Sequence, residues 1–129
     1  MMSIPSLRIL LFDDDASLRA TLRICVEAAS HQCMEAKDGH DAQEWLEGHL
    51  VDLMVTDYQM PGITGLELIQ WIKSHKKTKS LQIIFYSGQL TADLKARALH
   101  SGSSAVLEKP FSFQEFLLLI SQVGGESLA

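Results

Sequence analysis

The sequence predicts an α/β fold in which five strands alternate with five helices. Short apolar segments recur along the 129 residues, and each is followed by a segment whose apolar residues have helical spacing. No linker, repeat or low-complexity segment interrupts this alternation. A chain of this length can bury the core of one domain, so we expect a single parallel sheet with helices on both of its faces.

The first half of the chain begins with the clearest strand, the continuous apolar run RILLF at 8–12. A helix is predicted over 16–29, because apolar residues there lie at i, i+4, i+7, i+8 and i+11. QCMEA at 32–36 is a weaker strand, and a short helix follows within 40–50. The run VDLMVTD at 51–57 is a second clear strand, so the alternation is present from the start.

The next part of the chain repeats the pattern. A loop that contains proline and glycine follows the third strand, and helical spacing resumes over 65–74. LQIIFYS at 81–87 is the fourth strand. The segment 91–101 is helical, and Thr91 is a suitable N-cap for it.

The last strand is SAVLE at 104–108, and the last helix covers 112–123. Ser112 and Glu115 have the spacing of a capping box at the start of that helix. We expect the glycine pair at 124–125 to end it.

Composition argues against several classes of protein. The net charge of −5 disfavours nucleic acid as the main partner. No apolar run approaches the roughly 20 residues that span a bilayer, and the N-terminal segment does not resemble a signal peptide. Cys25 and Cys33 match no metal or redox spacing, so we expect two reduced thiols in a cytoplasmic protein. The five scattered histidines are expected on the surface.

Polar residues occupy the carboxyl ends of the predicted strands, which is the edge where open parallel sheets bind ligands. They are Asp13, Asp14 and Asp15 after the first strand, Asp57 at the third, Ser87 and Gly88 at the fourth, and Lys109 after the fifth. Each alone has an ordinary explanation, because aspartates cap helices or form turns, Ser-Gly is common in turns, and most lysines are simply solvated. Their coincidence at one edge favours a shared cleft.

A cleft of this composition suits a divalent cation. Two carboxylates about 4 Å apart repel by roughly 4 kcal/mol at an effective dielectric constant near 20. Mg²⁺ reverses the sign of that interaction and is held by one or two carboxylates together with water. We therefore expect Asp14 and Asp57 as direct ligands and Asp13 as a ligand through water. With Lys109 beside the cation, the site can receive an anionic phosphoryl group on Asp57.

Four segments, LLFDDDASLR, DLMVTDYQMPGITGLELI, IIFYSG and LEKPF, resemble the signature segments of a response-regulator receiver domain of two-component signalling. They occur in the family's order and extend over nearly the whole chain, from about residue 7 to 123. The resemblance implies a flavodoxin-like (βα)5 sandwich with strand order 2-1-3-4-5. It also implies a single receiver domain over 1–129.

The resemblance assigns a role to each polar residue at this edge. Asp57 would accept a phosphoryl group from phosphohistidine on a sensor histidine kinase or a histidine phosphotransfer protein, and an unidentified downstream protein would respond. The residues implied to bind Mg²⁺, or Mn²⁺ in its place, are Asp13, Asp14, Asp57 and the backbone carbonyl of Gln59. The phosphoryl group would be contacted by the Ser87 hydroxyl, the Gly88 backbone and the Lys109 ammonium.

Two further residues follow from the same resemblance. Pro110 matches a Lys-Pro turn that is expected to contain a cis peptide bond. Asp15 has no catalytic counterpart in the family, so it is expected only to cap the first helix.

The chain departs from the family pattern at two positions. Val106 stands where an aromatic residue usually changes rotamer on phosphorylation, so we expect the switch to use Ser87, the loop after it and the 91–101 helix. Thr64 replaces a usual acidic residue and is expected to cap the helix that begins near Gly65.

The sequence is less consistent with two other functions. A haloacid-dehalogenase-type phosphohydrolase uses similar groups but needs a second acid two residues after the nucleophile, where this chain has Gln59. A receiver-shaped docking module that no longer accepts phosphate would not need the complete polar set. The sequence therefore favours a phosphoacceptor that is not itself an enzyme.

Overall fold

The computed structural model describes residues 6–60 and 62–127, and the architecture is the predicted one. The strands are β1 (Arg8–Phe12), β2 (Gln32–Ala36), β3 (Leu53–Asp57), β4 (Gln82–Ser87) and β5 (Ala105–Glu108). The helices are α1 (Ala16–Ala28), α2 (Gly39–Gly48), α3 (Gly65–Ser74), α4 (Ala92–Ser101) and α5 (Phe113–Ser127). The strands are paired in parallel in the order β2-β1-β3-β4-β5, so the predicted fold class and strand order are confirmed.

Each face of the sheet carries its own apolar core, because alternate residues of a strand point to opposite faces. The core beneath α2, α3 and α4 includes Leu10, Phe12, Met54, Ile83 and Phe85. The core beneath α1 and α5 includes Ile9, Leu11, Val55, Ile84, Phe116 and Ile120. Burial on both faces explains why the central strands read as continuous apolar runs.

Side-chain caps begin the helices at the predicted residues. The Asp15 carboxylate accepts hydrogen bonds from the backbone N–H groups of Ser17 and Leu18 at the start of α1. The remaining predicted caps are Thr91 on α4, Thr64 on α3 and Ser112 with Glu115 on α5, and Glu67 adds a capping box to α3 that was not predicted. Each cap satisfies N–H groups that the first turn of a helix leaves without a backbone partner.

Two predicted boundaries are wrong. Helix α5 does not end at the glycine pair but continues to Ser127. A glycine inside a helix costs only about 1 kcal/mol relative to alanine and still donates its N–H. Strand β3 begins at Leu53 rather than at residue 51, and the Asp52 carboxylate just before it accepts hydrogen bonds from the Arg8 backbone N–H and guanidinium.

The prediction that all five histidines lie on the surface is also wrong. His31 is only 8% exposed, and its Nδ1 accepts a hydrogen bond from the Leu7 backbone N–H at 3.0 Å. Burial lowers the pKa of this imidazole, so the neutral form that can accept is favoured. His31 therefore stabilises the chain segment that enters β1.

Both cysteines are free thiols, as expected. Cys33 is buried, and burial raises the pKa of its thiol to about 12, so it is unreactive at neutral pH.

Within the residues that the structure describes, none of the helices combines the length and apolar character needed to cross a membrane.

Glu35 on β2 joins two arginines of α1 in an ion-pair group. Its carboxylate lies 2.9 Å from Arg19 Nε and 2.6 Å from Arg23 Nη1, and the bond from Arg23 is the main cause of a lowered Glu35 pKa. Because the pKa of Glu35 is lower in the folded than in the unfolded state, its charge stabilises the folded state at a pH above about 4.3, the pKa of a free glutamate. This stabilisation is lost as the pH falls through the pKa of the folded state.

We therefore expect Glu35→Gln to lower the free energy of unfolding by about 1 kcal/mol at pH 7, with a difference that shrinks as the pH approaches about 3. Thermal unfolding of the wild type and of Glu35→Gln between pH 7 and about 3 measures this difference in stability. Glu44→Gln is the control, because Glu44 forms only an exposed pair with His40. An equal loss at every pH would show that Glu35 acts through packing and not through charge.

Candidate functional site

A cleft of about 430 Å³ opens at the carboxyl ends of β3, β4 and β5. Its lining includes most of the residues singled out in the sequence, namely Asp57, Gln59, Ser87, Gly88 and Lys109, together with Tyr58 and Gln89. The parallel strands cause this convergence, because each one delivers its last residues to the same edge of the sheet.

Three carboxylates cluster at this edge of the sheet, and one of them, Asp57, lines the cleft. Asp13, Asp14 and Asp57 each place a carboxylate oxygen within 4.8 Å of the other two. Asp13 is only 1% exposed and Asp57 is also buried, while Asp14 is exposed. Burial raises the pKa of Asp13 because its charged form is poorly solvated. Hard oxygen donors this close together form a donor set of the kind that Mg²⁺ prefers.

Lys109 supplies the positive charge of the site. Its Nζ donates to Asp57 Oδ2 at 3.1 Å and lies 3.8 Å from Asp13 Oδ2. The Lys109 backbone N–H donates to the Ser87 carbonyl at 2.9 Å, which anchors the end of β5 against β4. The following Lys109–Pro110 peptide bond is cis, as the resemblance implies.

Asp57 is held on three sides at the end of β3. Its Oδ1 accepts from the Tyr58 backbone N–H at 2.7 Å, and its Oδ2 accepts from Lys109. Its backbone carbonyl accepts from the Thr56 hydroxyl at 3.0 Å and lies directly against the first residue of α3, Gly65. The carboxylate therefore has one fixed orientation at the mouth of the cleft.

Ser87 and Gly88 line the cleft at the carboxyl end of β4. The Ser87 side chain is buried, and its Oγ accepts from the Gln89 backbone N–H at 3.2 Å, so the hydroxyl is engaged by its own loop. Gln59 is exposed at the edge of the cleft. The roles of these three residues stay predictions.

Val106 is half-buried on β5 and packs against the core beneath α4. The loop between β4 and α4 is instead tied to β5 by Glu108, whose Oε2 accepts from the Leu90 backbone N–H at 3.2 Å. The sequence does not predict this hydrogen bond, because a glutamate next to a lysine is usually just an exposed charged residue.

The sequence also did not reveal Tyr86 as part of the site. This residue lies on β4 directly before Ser87, is only 1% exposed, and donates its hydroxyl hydrogen to Asp13 Oδ2. An aromatic residue inside an apolar strand is normally read as core, which is why the pattern gave no indication of a polar contact. The Tyr86 ring does pack in the core beneath α1 and α5.

The family model described as "Response regulator receiver domain" matches residues 9–121. Among curated proteins, the phosphate regulon transcriptional regulatory protein PhoB of Pseudomonas aeruginosa is 30% identical over 115 residues, which are 89% of this chain and 50% of that protein. The gliding motility regulatory protein of Myxococcus xanthus is 36% identical over 103 residues, which are 80% of this chain and 13% of that protein. The chain thus spans about half the length of the PhoB relative and a smaller share of the gliding motility protein.

Solved structures show the same fold. A putative response regulator from Chloroflexus aurantiacus has a TM-score of 0.89 at 26% identity, with 94% of this chain and 99% of that chain covered. The chemotaxis response regulator CheY4 of Vibrio cholerae has a TM-score of 0.87 at 23% identity, with 92% and 99% covered. The beryllofluoride-activated NtrC4 receiver domain has a TM-score of 0.87 at 28% identity, with 93% and 98% covered.

Proposed function

Because this chain belongs to the response regulator receiver family, we propose that Asp57 is its phosphoacceptor and that phosphorylation there changes which protein the domain binds. One observation carries the assignment to Asp57. Of the aspartates at this edge, it is the one that both lines the cleft and has a carboxylate oxygen 3.1 Å from the lysine ammonium. Its neighbours Asp13 and Asp14 are close enough to share a cation with it.

The residues present fit Mg²⁺, or Mn²⁺ in its place. Asp13, Asp14 and Asp57 provide clustered carboxylate oxygens, and the Gln59 backbone carbonyl is the further ligand that we propose. A bound cation offsets the repulsion among these carboxylates and the negative charge of an incoming phosphoryl group.

The proposed reaction moves one phosphoryl group between two proteins. A carboxylate oxygen of Asp57 forms a bond to phosphorus, while the bond from phosphorus to the histidine nitrogen of the donor breaks and the electron pair stays on the imidazole. The Lys109 ammonium and the Gly88 N–H offset charge on the transferred oxygens. Ser87 would donate its hydroxyl hydrogen to the phosphoryl group, since the bond from the Gln89 N–H uses only an acceptor position of its Oγ. The domain thereby assists its own phosphorylation and dephosphorylation without turning over a substrate.

The proposed donor is a sensor histidine kinase or a histidine phosphotransfer protein, and the proposed responder is a downstream protein.

The test of the phosphoacceptor assignment uses Mg²⁺ and a small acyl phosphate as donor, with intact-mass measurement of the product. One added phosphoryl group supports the proposal. No uptake from this donor or from a histidine kinase would favour a domain that only docks.

Ser87 is expected to connect phosphorylation to the loop at 88–91 and to α4, since Val106 has no ring to exchange between rotamers. In the wild type, phosphorylation should change amide hydrogen exchange in this segment. Ser87→Ala should still take up the phosphoryl group, because Asp57 and Lys109 are unchanged, but should lose most of that exchange difference.

Hydrogen exchange of the two proteins, with and without the acyl phosphate, measures the effect. The segment of α2 serves as an internal reference in both samples, since it lies away from β4 and β5. A wild-type domain whose exchange at 88–101 does not respond to phosphorylation would contradict a switch through this face.

A further inference from the structure

Tyr86 makes a polar contact that is unusual for a core residue. Its ring is buried beneath α1 and α5, yet its hydroxyl donates a hydrogen bond to Oδ2 of Asp13. The two residues are 73 positions apart in the chain and lie at the ends of β4 and β1, on either side of β3. The contact therefore crosses the middle strand directly beneath the acidic cluster.

This bond completes the fixation of the Asp13 carboxylate. Its Oδ1 accepts from the Asp15 backbone N–H at 2.8 Å, so each carboxylate oxygen has one donor from the protein. A carboxylate has about four acceptor positions, so the Asp13 carboxylate can still accept a hydrogen bond from a water molecule that is bound to a cation. Asp13 is 1% exposed, so bulk water does not replace a lost donor easily.

The Tyr86 side chain is itself held rigidly. Phe111 packs edge-on against its ring, with centroids 5.6 Å apart, and the Lys109 ammonium lies 4.7 Å from the ring centroid. A phenol is protonated at neutral pH, so the Tyr86 hydroxyl remains a hydrogen-bond donor to Asp13. A rigid donor of this kind can select one orientation of the carboxylate it contacts.

We infer that Tyr86 is a positioning residue for the cation site, which orients Asp13 through its hydroxyl without contacting the cation or the phosphoryl group. This inference rests on the proposed function, because Asp13 orients a cation only if the acidic cluster binds one. Groups that hydrogen-bond to metal ligands commonly contribute a factor of about 10 to 100 in metal affinity. The hydroxyl of Tyr86 is such a group, and a phenylalanine in its place would keep the ring and lose the donor.

Tyr86→Phe is expected to raise the dissociation constant for Mg²⁺ by about 10-fold or more. The probe is Mg²⁺ alone, titrated into the full chain while the backbone amide shifts of residues 14–17 and 58 are followed by NMR. At saturating Mg²⁺, phosphoryl uptake from a small acyl phosphate should return to the wild-type rate. The change therefore appears in the Mg²⁺ concentration for half-maximal rate and not in the maximal rate.

Phe116→Leu is the packing control, because Phe116 is buried in the same core, packs against Phe111 and has no polar group that could bond to Asp13. This variant should lower the melting temperature and leave the Mg²⁺ dissociation constant unchanged. The inference is overturned if Tyr86→Phe binds Mg²⁺ as tightly as the wild type or more tightly, or if both variants weaken binding equally. A wild-type chain that gives no Mg²⁺-dependent shifts would overturn the cation site itself, which is a distinguishable result.

Discussion

Asp57→Asn is expected to abolish phosphoryl uptake while the fold is retained. An amide oxygen is a poor nucleophile and carries no charge for the cation or for Lys109, which lies 3.1 Å from the carboxylate in the wild type. The amide is almost the same size as the carboxylate, so the packing at the end of β3 should persist. Intact-mass measurement after incubation with Mg²⁺ and a small acyl phosphate records the loss of the added group.

Asp93→Asn is the matched control for that experiment. Asp93 lies in the first turn of α4 with its side chain 82% exposed, and its ion pair with Arg97 is long at 3.9 Å. Asp93→Asn should take up one phosphoryl group as the wild type does. A chelator of divalent cations should prevent uptake by Asp93→Asn and by the wild type. Uptake by Asp57→Asn at the wild-type rate would show that another residue is the acceptor.

Gly65→Ala is expected to cause the largest loss of stability among single-methyl changes near the site. A Cβ atom at residue 65 would lie 2.3 Å from the Asp57 backbone carbonyl oxygen and 3.2 Å from Phe85 Cε2. The first of these neighbours is backbone and cannot rotate away, so β3 or α3 must shift. We expect a loss of about 3 kcal/mol, typical of overpacking, and a melting temperature lower by about 10 °C.

The same substitution should slow phosphoryl uptake, because the displaced atom belongs to Asp57. Gly48→Ala provides the control: residue 48 is helical, and apart from its chain neighbours and helix backbone the described residues place no atom within 4 Å of the added Cβ. There the methyl group should be neutral or stabilise the helix by up to about 1 kcal/mol. A melting temperature of Gly65→Ala equal to that of the wild type would show that α3 can move away without cost.

The sequence was sufficient to predict the sheet and the convergence of polar residues because both depend on local pattern. Apolar runs such as RILLF mark buried strands, and in a parallel sheet all carboxyl ends share one edge. Asp13, Asp57 and Lys109 could therefore be placed together before their distances were known. The helix caps at Asp15 and Thr91 follow from residue type and position for the same reason.

The position of His31 and the end of α5 are not determined by local sequence pattern. His31 was expected on the surface, since a single histidine carries no periodic signal, but the backbone N–H of Leu7 provides a buried partner for it. Helix α5 continues through the glycines that predict its end, because a glycine inside a helix costs only about 1 kcal/mol relative to alanine. For His31, the deciding contact therefore comes from a different segment of the chain.

Local pattern thus accounts for the alternating fold, the acidic edge and the phosphoacceptor candidate Asp57. It does not reveal the bond between Tyr86 and Asp13, or the close approach of Gly65 to the Asp57 carbonyl. Both contacts join segments whose separation is set by sheet order and helix docking, and neither leaves a trace in residue spacing. A tyrosine in a strand and a glycine before a helix acquire these roles only when β1, β3 and β4 lie side by side.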